Sequence, residues 1–104
     1  MAREIALRAL ARREYARAEL TTHLTARGVA AHDARTVVEA LSEDGLQSDA
    51  RYAAMLVQAR RRRGYGPVRI AAELGHAGVA REVATAALAG DEDDWTLSAR
   101  DWLR

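Results

Sequence analysis

The sequence predicts an all-α fold of tandem three-helix repeats, and three observations predict it. Apolar residues recur at helical spacing through most of the chain, with no strand-like alternation of any length. Glycines stand at the ends of those periodic runs, where a helix needs a left-handed stop. A shift of fifty residues lays the first half of the chain on the second without a gap. It brings Arg12-Arg13 onto Arg62-Arg63, Tyr15 onto Tyr65, Leu20 onto Ile70 and Leu24 onto Leu74. Gly28-Val29-Ala30 falls on Gly78-Val79-Ala80, Ala34 on Ala84 and Val38 on Leu88.

The elements follow in order. Ile5, Ala6, Ala9 and Leu10 mark one face of a helix from Ala2 to Arg13. A short helix from about Arg17 to Ala26 carries Leu20 and Leu24, and Arg27-Gly28-Val29 ends it. A third, from about Ala31 to Ser42, turns Ala34, Val37, Val38 and Leu41 inward and stops at Gly45. Ser48 is a good N-cap for a fourth, which runs through Tyr52, Met55, Leu56 and Ala59 into four arginines. The only proline then opens a fifth at Gly66-Pro67, because its fixed backbone angle suits the first helical turn. That helix carries Ile70 and Leu74 to Gly75–Gly78, and a sixth carries Val83, Ala87 and Leu88 to Gly90. The acidic link Asp91 to Asp94 leads to a last segment with Trp95, Ala99, Trp102 and Leu103. The expected division is a first repeat at 1–46, a second at 47–90, and at 91–104 the link and first helix of an incomplete third.

Composition narrows the class. A hydrophobic fraction of 49% and a charged fraction of 30% fit a folded helical chain. Every basic residue is arginine, yet sixteen bases against fifteen acids leave a net charge of only +1. Any anion-binding role therefore has to come from local clustering. With no cysteine there is no disulfide framework and no thiolate metal site. The N-terminus has no apolar h-region, and no window approaches a membrane span, so the cytoplasm is the expected compartment.

Several stretches carry a family resemblance: Arg12-Arg13-Glu14-Tyr15, Arg17-Ala18-Glu19-Leu20, Arg27-Gly28-Val29, Leu46 through Ala53, and Gly64-Tyr65-Gly66-Pro67 with Ile70 and Glu73-Leu74. In order and spacing along nearly the whole chain, these resemble the RecX family, the small bacterial regulators of the RecA recombinase. The resemblance implies an elongated, curved array of three-helix repeats, normally three of them. It implies a cytoplasmic, monomeric, non-enzymatic regulator with no cofactor. Such a regulator binds RecA or its filament on single-stranded DNA, with weak direct contact to that DNA. It inhibits recombinase, ATPase and co-protease activities, and so acts on DNA repair, homologous recombination and the SOS response. Ala16 and Ala30 depart from the family pattern, and each change loses a helix N-cap worth about 0.5–2 kcal/mol.

No catalytic constellation stands out. His23, His32 and His76 lack metal-ligand spacing and read as surface or packing residues, and no Walker-type phosphate loop is present. The sharpest charge feature is Arg60-Arg61-Arg62-Arg63. It reads either as a solvated helix end favoured by the dipole or, with Arg12, Arg13, Arg17 and Arg69 at equivalent or adjacent places, as a surface for phosphates or acidic patches. Four consecutive helical residues point to all sides, so one or two must lay their stems on the core. Tyr15 and Tyr65 read as packing residues of the two joints. Two rival readings stand beside the regulator. One is a DNA-reading helix-turn-helix over Ile70 to Val83, whose second helix offers only Arg81, Glu82 and Thr85 as polar readers. The other is a plain helical adaptor.

Overall fold

A computed structural model describes residues 1–90; the expected seventh helix, the tryptophans and the start of a third repeat lie outside the described residues. The helices are α1 (Ala2–Arg12), α2 (Arg17–Ala26), α3 (Ala31–Glu43), α4 (Asp49–Arg62) and α5 (Pro67–His76), with α6 helical over the described 81–90. Among the described residues there is no strand. The fifty-residue shift holds for the backbone itself: α2 and α5 have equal length, and both are followed by a two-residue turn and a glycine in the left-handed region, Gly28 at φ 90° and Gly78 at φ 87°. In each case the glycine is the second residue of that turn, and the following valine N–H returns to the carbonyl of the buried leucine, Val29 to Leu24 and Val79 to Leu74, both at 3.1 Å.

Each repeat buries its own core. In the first, Ala6 and Ala9 of α1 meet Leu20 and Leu24 of α2 and Ala34, Val38 and Leu41 of α3. Small alanines on α1 let the three helices approach closely. In the second, Tyr52, Ala53, Leu56 and Val57 of α4 pack on Ile70 and Leu74 of α5, closed by Val79 and Ala84. Tyr15 and Tyr65 are half-buried against their respective cores, as joint residues should be. The result is elongated, 55 × 22 × 22 Å, with a radius of gyration of 15.8 Å where a compact chain of this length would have about 13 Å.

The two repeats are locked by contacts that no helical periodicity announces. Ala16, only 1% exposed, sits in the core of the second repeat, not of its own. Buried Gln47 donates from Nε2 to the Tyr15 carbonyl (3.1 Å) and to Asp49 Oδ1 (2.9 Å). The same Asp49 oxygen accepts the Arg17 backbone N–H at 2.7 Å, and Arg51 pairs with Glu14 at 3.0 Å. This changes the cost assigned to Ala16. Its side chain cannot cap α2, but Asp49 from the next repeat accepts one free N–H of the first turn, and Glu19 accepts the Ala16 N–H at 3.1 Å. Ala30 has no such substitute, and α3 starts without a side-chain cap. Ser48 caps α4 as expected, accepting the Arg51 N–H at 3.2 Å.

A Cβ added at Gly78 would lie 2.8 Å from the Ala18 Cβ across the joint, whereas one at Gly28 would meet nothing within 4 Å. Both positions carry the left-handed backbone, which costs an alanine about 1–2 kcal/mol. Gly78→Ala is therefore expected to destabilise by about 1–3 kcal/mol more than Gly28→Ala, through the overpacked contact. Urea denaturation of the two variants measures the difference; equal losses would mean that the repeats do not touch there.

Candidate partner-binding surface

Basic side chains gather along one continuous track. Its first part is a cleft between α1 and α2 lined by Ile5, Arg8, Ala9, Arg12, Tyr15, His23 and Arg27. Tyr15, His23 and Arg27 also line the adjoining groove, which carries Arg13 and Glu19 and reaches His76 at the end of α5. His76 in turn lines a third groove with Arg60, Arg63, Tyr65, Arg69 and Glu73. Because neighbouring grooves share walls, the track crosses from the first repeat into the second.

Sequence spacing explains much of this placement. Arg8 and Arg12 stand one turn apart on α1, and Arg27, the C-cap of α2, stands four residues after His23 at the end of that helix, so each pair lies close together. The two joint tyrosines are each covered by a guanidinium: Arg13 lies 3.8 Å from the Tyr15 ring centroid and Arg69 lies 3.8 Å from that of Tyr65. The edge of His23 meets Tyr15 with ring centroids 5.4 Å apart.

The four-arginine run divides in use. Arg60 grips Glu73 with Nε at 3.0 and 2.8 Å and Nη2 at 2.6 Å, tying the last turn of α4 to α5. Arg61 is half-buried, while Arg62 and Arg63 are exposed. Arg60 and Arg61 are the two half-buried members of the run. Arg12, Arg13, Arg60, Arg63 and Arg69 line the track. Arg17 lines a side groove with His32, Arg35, Glu39 and Asp49, which meets the middle groove of the track at Ala18. Arg8, Arg27, His23 and His76 were not singled out as site residues from the sequence. The paired one-turn spacings are the signal that identifies the first three.

Of the titrating groups displaced from their ordinary values, Glu73 and His23 bear on the track. The hydrogen bonds from Arg60 hold the Glu73 carboxyl below its ordinary value, against a smaller opposing effect of burial. A carboxylate held down in the folded state stabilises the fold above its unfolded value, and that stability is lost as pH falls through the folded value. Glu73→Gln is thus expected to lose stability near neutral pH and to be less sensitive than the parent to acid below about pH 4.5. Thermal melts from pH 3 to 7 measure it; parallel curves would remove the ion pair from the account. The second group, His23, is held below its ordinary value by burial first and then by Arg27, Arg13 and Arg12. Among the described residues, no three His, Cys, Asp or Glu side chains gather to hold a metal, and no helix is long and apolar enough to cross a membrane.

Fold and surface together define a tandem three-helix repeat protein whose two units share one basic track. Two family models match it: RecX, first three-helix domain, over residues 2–41, and RecX, second three-helix domain, over residues 48–88. The chain belongs to the RecX family. It is similar to the regulatory protein RecX of Chromohalobacter salexigens, with 50% identity over 93 residues, covering 89% of this chain and 61% of that one. The regulatory proteins RecX of Xanthomonas axonopodis pv. citri and Stenotrophomonas maltophilia strain R551-3 are each 48% identical over 99 residues, covering 95% of this chain and 61% of theirs. The chain thus spans about three fifths of the length of these relatives.

Proposed function

We propose that this chain is a non-enzymatic regulator that binds the RecA filament on single-stranded DNA in the bacterial cytoplasm. Bound there, it lowers strand exchange, ATP turnover and co-protease activity. The observation that carries the reading is the basic track running across both repeats of a RecX-family chain. The names of its relatives, regulatory proteins, agree with it. An elongated array suits a helical polymer, because an extended surface reaches more than one neighbouring subunit. The locked joint supports this use, since a surface spread over two repeats needs a fixed angle between them.

The helix-turn-helix reading gains nothing from the geometry. Val83 and Ala84 of α6 turn inward, and its outer face over 81–86 offers Arg81, Glu82, Thr85 and Ala86, a poor set of base readers. Co-sedimentation with preformed RecA filaments on poly(dT) tests the proposal. The chain is expected in the pellet with RecA present and in the supernatant with RecA omitted. Recovery in the supernatant at every ratio would contradict filament binding.

A further inference from the structure

The first-repeat cleft differs from its counterpart in the second repeat in a way that points to a ligand. The position of His23 is taken in the second repeat by Glu73, and that of Leu10 by Arg60. The second repeat therefore supplies its own anion and its own cation, joined in a two-pronged pair. The first repeat instead gathers Arg8, Arg12 and Arg27 around His23, and among the described residues no carboxylate lines the cleft. The second repeat has Gln58 and Ala77 where the first has Arg8 and Arg27. The second-repeat groove also has three guanidiniums, Arg60, Arg63 and Arg69, but Glu73 neutralises one of them, whereas the first-repeat cleft sets its three around a histidine.

We propose that this cleft is a proton-linked phosphate site: Arg8, Arg12 and Arg27 hold a phosphate group of an incoming ligand, and His23 takes up a proton as it binds. The hydrogen bonds set the starting state. Arginine has only donors, so the contact of Arg27 Nη1 with His23 Nδ1 at 3.3 Å makes Nδ1 the acceptor and leaves the ring neutral, with its proton on Nε2. Protonation at Nδ1 ends that contact and turns both side chains into donors toward one oxyanion. The proton comes from solvent and stays on the imidazole, and no covalent bond changes.

The groups facing His23 account for the coupling. Arg8 and Arg12 come from α1, Arg13 and Tyr15 from the joint, and Arg27 from its own helix. Glu19, the one acid lining the adjoining groove among the described residues, is already engaged by Arg13 and the Ala16 N–H. His76 reaches the same groove from α5, and α3 contributes no lining residue to either. Burial first, and then the neighbouring guanidiniums, oppose a charge on His23, and a bound anion reverses the sign of the local field. Phosphate fits better than carboxylate. A planar carboxylate matches one guanidinium fork, whereas a tetrahedral phosphate accepts from several forks at once. The phosphate has two possible sources, the backbone of a nucleic-acid strand or the tail of a free nucleotide. The proposal goes beyond the RecA reading and does not depend on it, because every measurement below uses this chain without RecA.

The test follows the His23 ring resonances by NMR and the affinity for a labelled dT oligonucleotide by anisotropy, from pH 5.5 to 8. Phosphodiesters do not titrate in that range, so a pH dependence belongs to the protein. The oligonucleotide is expected to move the His23 titration to higher pH. Affinity should rise as pH falls from 8, by up to about tenfold per unit for one linked proton, and level off below the titration of the free chain. His23→Gln should bind with a flatter profile, His76→Gln should keep the parent's profile, and Arg8→Gln and Arg27→Gln should weaken binding at every pH. Competition by ATP or inorganic phosphate at matched ionic strength would support a free phosphate as the ligand; its absence would support a nucleic-acid strand. Equal competition by hexa-aspartate would overturn the phosphate assignment. A His23 titration that the oligonucleotide leaves in place, or a His23→Gln profile matching the parent's, would overturn the proton linkage. Arg8 and Arg27 are exposed and His23 lies outside both cores, so folded variants are expected, and circular dichroism checks them.

Discussion

Arg12→Glu combined with Arg63→Glu is expected to weaken binding to the RecA filament by about a hundredfold at low salt, with unchanged helicity. Both side chains are exposed, both line the track, and they come from opposite repeats. Each reversal removes one favourable contact and adds one unfavourable contact, together worth about 1–2 kcal/mol at a half-solvated surface. Two such sites give roughly two powers of ten in affinity. The deficit should shrink as salt rises, because contacts between exposed charges are screened over about 10 Å at 0.1 M. Arg35→Glu is the control for a single reversal: it makes the charge change of one of these sites, but on α3 and in the side groove with Arg17, where Arg35 lines none of the three grooves of the track. Equal losses from the control would mean that net charge alone matters and the track does not.

Leu24→Ala is expected to cost about 2–5 kcal/mol, the largest stability loss among these variants. Leu24 is 0% exposed at the centre of the first core, where α1, α2 and α3 meet, and it also anchors the turn through the Val29 hydrogen bond. A chain of this size has about 5–15 kcal/mol to lose, so this variant lies close to unfolding. The more informative result is where the loss is felt. Ala16 sits in the second core, and Asp49 and Gln47 bind the first joint. A cavity in the first repeat should therefore lower protection of α5 amides as well as α2 amides in hydrogen exchange. Loss confined to α1–α3 would show two repeats that open independently, as weakly coupled arrays do.

What was legible in the sequence was local. Helical spacing and glycine stops gave α2 and α5 their limits, and the fifty-residue shift set them in equivalent places. Periodicity tells which face of a helix is apolar, but not which polar group on another element meets that helix. So the Asp49 contact to Arg17, 32 residues away in sequence, was not legible, and neither was the burial of Ala16 in its neighbour's core. The same limit governs the charged surface. The arginine run looked like its centre, yet Arg60 is committed to Glu73 across a turn, and Arg61 is half-buried. The denser unneutralised cluster is the one assembled from two helices, Arg8 and Arg12 with Arg27 and His23, which no single stretch of sequence displays.

The most direct test of the central claim is the rate of ATP hydrolysis by RecA on single-stranded DNA as this chain is added. A dose-dependent fall is expected, blunted in Arg12→Glu/Arg63→Glu and intact in Arg35→Glu. A rate that stays constant while the chain is bound to the filament would contradict the proposed function.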